Sequence, residues 1–121
     1  MRLLYIVSKG TSDPTLASVP LHIAANGSLE VGQDVSVVLV GEATDLVVGD
    51  NAQMVEGVGV PPARELLSKL REHEVPVYVG KGCAVARGAT EESAAEVVNG
   101  KWAAPPDVAR LTAEADRVLT F

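Results

Sequence analysis

The chain has one cysteine, Cys83, and it lies in "VYVGKGCAVARG", directly after a short apolar run. Gly80 and Gly82 bracket the approach to it, and Lys81 and Arg87 stand two before and four after it in sequence. A thiolate is the nucleophilic form of cysteine, and it is favoured by cationic neighbours and by a helix N-terminus. The stretch offers both, because a helix is expected to start at or just after Cys83 and direct its free N–H groups at the sulfur. The glycines leave the backbone open, so that a second molecule can come close. The same residue types also suit a packed thiol, since free cysteine is among the most buried residues and often behaves as a small hydrophobe. Spacing leaves both readings open.

Other groups with chemical potential are sparse. Ser8 and Lys9 follow the first apolar run in "SKGTSD", a place where a strand hands over to a helix and a pocket can form. His22 falls on the first helical segment, within reach of a role as base or ligand, although a single histidine carries little information. His73, among Arg71, Glu72 and Glu74, reads as solvated. No metal ligand set has supporting spacing, and one cysteine rules out both a two-cysteine redox motif and a Cys-rich zinc site. "GDNAQMVEGVGVPP", Gly49–Pro62, is glycine-rich without the P-loop pattern, and Ser8–Asp13 lacks the three-glycine dinucleotide fingerprint. No cofactor is called for. Trp102 reads as a packing residue.

The elements that must hold these residues follow from pattern. Leu3–Val7, Val35–Val40, Val75–Val79 (starting at or after Pro76) and Val118–Phe121 are short apolar runs ending in turn residues. A fifth, Lys101–Ala103, is weaker. Runs apolar on both faces suit the strands of a covered parallel sheet. Between them lie helical patterns. Asp13 and Pro14 open a segment that ends at Gly32 and carries an interior proline, Pro20. Pro61–Glu74 is amphipathic through Leu66, Leu67 and Leu70. "TEESAAEVV" starts on a Thr90 cap, and Pro105–Ala115 forms the last helix. Alternating strands and helices define a single α/β domain over residues 1–121. In such sheets ligands gather at the carboxyl ends of the strands, which here means Ser8–Ser12, Gly41–Thr44 and Gly80–Cys83.

Composition narrows the partners. The 121 residues are 47% hydrophobic and 21% charged, in the range of a soluble globule. A net charge of −6, with no basic run, argues against a nucleic-acid backbone as partner. No apolar stretch reaches the ~20 residues of a membrane span, and "MRLLYIV" is too short for a signal peptide. A cytoplasmic location is expected.

Four pieces, in order, carry a family resemblance: "SDPTLASVPLHIA", "DVSVVLVGEATDLV", "GCAVARG" with its Cys-x-x-x-Arg-Gly signature, and "EADRVLTF". The chain resembles the DsrE/DsrF-like (YchN-like) family of small sulfur-relay proteins over nearly its whole length. The resemblance implies a three-layer α/β/α fold with a mainly parallel sheet of about five strands. It also implies assembly into oligomers, commonly trimers or hexamers. In family members that transfer sulfur, the cysteine after the third strand carries a persulfide, a role that maps onto Cys83, and Arg87 matches the family's Arg-Gly pair. Sulfur donor and acceptor proteins are the partners so implied. Lys81, Gly82, Ser8, Lys9 and His22 stand as supporting candidates. The rival reading is a non-catalytic module whose loops hold a small anion or nucleotide, or a structural subunit of a DsrE-like oligomer.

Overall fold

The computed structural model describes residues 1–121. Five strands form one wholly parallel sheet: β1 (Arg2–Val7), β2 (Asp34–Leu39), β3 (Val77–Gly80), β4 (Gly100–Ala103) and β5 (Arg117–Thr120), in the order β4-β3-β2-β1-β5. Parallel neighbours need crossovers, and five helices supply them: α1 (Pro14–Ile23), α2 (Ala63–Glu72), α3 (Lys81–Ala86), α4 (Glu91–Val97) and α5 (Pro105–Glu114). From β1 to β4 the chain steps steadily one way across the sheet. Right-handed crossovers therefore put α1, α2 and α4 on one face. The last crossover runs back past three strands to place β5 beside β1, so the same handedness puts α5 on the other face.

The main core lies on the first face. Leu3, Tyr5, Val7, Val35, Val37, Leu39, Val77 and Val79 point from the strands into Leu21, Leu66, Leu67 and Leu70 of α1 and α2. Tyr5 keeps its hydroxyl satisfied in this core by a 2.7 Å hydrogen bond with Ser28 Oγ, and its ring stacks on Phe121. The second face is thinner. Leu4 and Val38 are buried under α5, yet no residue of α5 is itself buried. A helix about 10 Å wide cannot cover a sheet about 20 Å across.

The elements start and stop where local chemistry dictates, with departures from the pattern in the connections after β1 and after β2. The first helical segment does not run intact to Gly32. It ends at Ile23, passes into a π-turn over Ala24–Ser28, and Gly32 closes the segment at a φ of +75°. As the pattern expects, Thr90 caps α4, in a reciprocal pair with Ser93, and β3 starts just after Pro76, at Val77. The other departure is the stretch after β2. Gly41–Val47 is a 3-10 turn that buries Ala43, Thr44, Leu46 and Val47, where the sequence reads simply as loop. No helix is long and apolar enough to cross a membrane.

Candidate functional site at the carboxyl edge

Cys83 belongs to the first turn of α3. The helix begins at Lys81, two residues earlier than the sequence pattern suggests, because β3 ends at Gly80 and that glycine turns the chain straight into the helix. The strand-to-helix handover is tight. A Cβ on Gly80 would sit 3.4 Å from the Leu39 carbonyl, so the exits of β2 and β3 lie against each other. Cys83 is half-buried and unpaired, with exposed Gly82 before it and buried Ala84 after it. The thiol thus stands at the carboxyl edge of the sheet, on a helix anchored through Ala84 and with its flank open.

The supporting candidates divide. Lys81 and Arg87 share α3 or its C-cap with the thiol, and both are exposed. The Arg87 guanidinium is committed to the Cys83 carbonyl, with Nη1 donating over 3.1 Å, and so braces the helix turn. Ser8 and Lys9 emerge at the same edge from β1, two strand positions from β3. Ser8 Oγ donates to the Phe121 carbonyl, which ties it toward β5 and away from β3. His22 lies elsewhere. It is near the C-terminal end of α1, about 12 Å along the helix axis from the carboxyl edge at the usual rise per residue. There its Nδ1 accepts from Asn26 Nδ2 at 3.0 Å, and Asn26 Oδ1 accepts from Lys69, which also pairs with Glu30. The hydrogen bond and charge of Lys69 hold the Glu30 carboxyl below the ordinary range. His73 joins the same surface network through a bond between its Nδ1 and the Lys69 carbonyl.

The sequence gives no sign of two further residues at this edge, Glu42 and Asp45. Both lie on the 41–47 turn and both reach across to the loop after β1. Glu42 Oε1 accepts from the backbone N–H of Gly10 at 3.0 Å and of Ser12 at 2.9 Å, while both its oxygens accept from Ser12 Oγ. Asp45 accepts from the Thr11 amide and hydroxyl. These bonds to Ser12 and Gly10, with the charge of Lys9, draw the Glu42 carboxyl below its ordinary range. A carboxylate two turns along in one loop and a Ser-Gly-rich segment in another look like independent solvated pieces until the sheet sets β1 beside β2. The largest concavity under α5, about 260 Å³ and lined by Arg2, Asp34, Tyr78, Leu111 and Glu114, opens near the amino ends of the strands and away from Cys83.

A wholly parallel sheet of order 4-3-2-1-5 with helices on both faces and a lone thiol at its carboxyl edge defines a small three-layer α/β/α domain. Residues 1–121 match the DsrE/DsrF-like family model from end to end, and the chain belongs to that family. Among solved structures it is similar to the ychN protein from E. coli, with a TM-score of 0.78 at 18% identity, covering 100% of this chain and 99% of that one. At that identity the likeness speaks for the fold. Curated proteins yield no match.

Proposed function

We propose that the protein is a sulfur carrier, a sulfurtransferase working by persulfide relay through Cys83 within an oligomer. The observation that carries the reading is the position of the only cysteine, in the first turn of a helix at the carboxyl edge, with an open glycine beside it. The Cys83 thiolate attacks the outer sulfur of a donor persulfide. A new S–S bond forms to Cys83, the donor's S–S bond breaks, and the electron pair leaves on the donor thiolate. An acceptor thiolate then attacks the terminal sulfur and releases Cys83 as the thiolate. Each step is an exchange between thiolate and disulfide-type sulfur, so it needs access and no cofactor. Nothing in the relay requires a second cysteine within the chain.

Arg87 keeps the turn in shape through its bond to the Cys83 carbonyl. Assembly as a trimer or hexamer fits the thin second face, where Val118 is 38% exposed beside the single helix α5. The donor, the acceptor and a cytoplasmic setting belong to the same proposal. Intact-mass measurement after exposure to a small-molecule persulfide donor tests it. The parent is expected to gain one sulfur atom and Cys83→Ser none, with fold and assembly unchanged; equal uptake by the Ser variant would end this reading.

A further inference from the structure

The loop after β1 is strapped down by side chains from a different crossover. Three consecutive residues, Gly10, Thr11 and Ser12, donate their backbone N–H groups and two hydroxyls to Glu42 and Asp45. Gly10 is buried, and a Cβ there would collide with the Asp45 carboxylate and the Glu42 carbonyl, so the fit requires a glycine. The 41–47 turn that carries both acids packs in turn against α3, and its start at the exit of β2 lies against Gly80. A continuous set of contacts therefore runs from the β1 loop through Glu42 and Asp45 to the helix bearing Cys83.

We propose that Glu42 and Asp45 form a latch that fastens the β1 loop to the 41–47 turn and, through the packing of that turn on α3, holds the helix bearing the half-buried Cys83 in place, so that release of the latch exposes the thiol further. The acids act as positioning residues, because they touch backbone and hydroxyl donors and not the sulfur. Their own strength comes from charge-assisted bonds, which neutral acceptors do not match. Lys9 is the cation whose charge acts on Glu42. The elements packed on the turn bring Lys81 and Arg87 from α3, Glu91, Glu92 and Glu96 from α4, and Asp50 from the cap of the Asn51–Met54 turn; none of these makes an ion pair or hydrogen bond to Glu42. Opening thus depends on the two carboxylates and the five donors they hold.

The inference concerns regulation of the site proposed above, but its test needs only a thiol. Glu42→Gln sets an amide NH₂ among donors, Asp45→Asn does the same at Thr11, and Gly10→Ala pushes the loop off with both charges in place. At neutral pH each variant is expected to speed hydrogen exchange at the Gly10–Ser12 amides by about tenfold, the factor implied by one lost hydrogen bond to a charged group. Each should also speed alkylation of Cys83 by uncharged iodoacetamide several-fold. Exchange at the parent rate in all three variants would overturn the latch, as would released amides with unchanged or slower alkylation. Gly10→Ala separates loop opening from an altered field at the sulfur, since it changes no charge. If the parent takes up no sulfur from a persulfide donor, the relay reading fails while the exchange and alkylation results still decide the latch.

Discussion

Tyr5→Phe tests how the first crossover is held to the sheet. The Tyr5 hydroxyl is the polar tip of a residue only 2% exposed, and its partner Ser28 is 3% exposed, in the π-turn that follows α1. Removing the hydroxyl deletes one hydrogen bond and leaves Ser28 Oγ buried without its partner. A neutral bond nets about 1 kcal/mol, and an orphaned buried hydroxyl costs about 1–3 kcal/mol. The ring stack on Phe121, with centroids 6.2 Å apart, does not depend on the hydroxyl and is retained. A loss of about 1.5–2.5 kcal/mol is therefore expected for Tyr5→Phe, with a similar figure for Ser28→Ala. The double variant removes both partners, so it should cost less than the sum of the singles, with a coupling of about 1 kcal/mol. For a chain of this size, roughly 3–6 °C of Tm accompanies each kcal/mol. Urea melts of the four proteins at constant m-value give the cycle. Strict additivity, or single losses below about 0.5 kcal/mol, would refute the reasoning, because it would mean that solvent replaces the bond at no cost.

Other outcomes follow from the same contacts. Gly100→Ala should destabilise by about 1–3 kcal/mol, since a Cβ there would stand 2.9 Å from the Ala94 carbonyl and 3.0 Å from its Cβ; denaturant melts check it, and a neutral result would mean that α4 shifts freely off β4. Thr90→Ala removes the α4 cap and is expected to cost about 1 kcal/mol, with faster hydrogen exchange confined to the first turn of α4. Glu42 has a folded-state pKa below its unfolded one, so its contribution to stability is complete above the ordinary glutamate value of about 4.3 and is lost as pH falls through the lower folded value. NMR titration of the Ser12 amide should follow that acid-side transition, and Glu42→Gln should abolish it. Lys69→Met should return the Glu30 titration toward the ordinary glutamate range, which carboxyl NMR reads directly.

Much of this protein was legible in its sequence. Strands buried on both faces must be apolar throughout, so "LLYIV", "VSVVLV" and the valines after Pro76 announced themselves, and the Asp13–Pro14 and Thr90 starts used ordinary capping chemistry. The lone thiol after the third strand, and its place at the carboxyl edge, followed from strand order along the chain alone. What remained hidden depended on neighbours distant in sequence. Only the tertiary fold sets β1 between β2 and β5, which ties Ser8 to Phe121 and leaves His22 far down α1 in a surface network with Lys69. Likewise, Glu42 and Asp45 look like two exposed acids until the parallel pairing of β1 with β2 brings 30 or more residues of chain back on itself and places three backbone N–H groups before them. Local propensity is written in short windows, but which polar groups satisfy one another is decided by the order in which the strands pack.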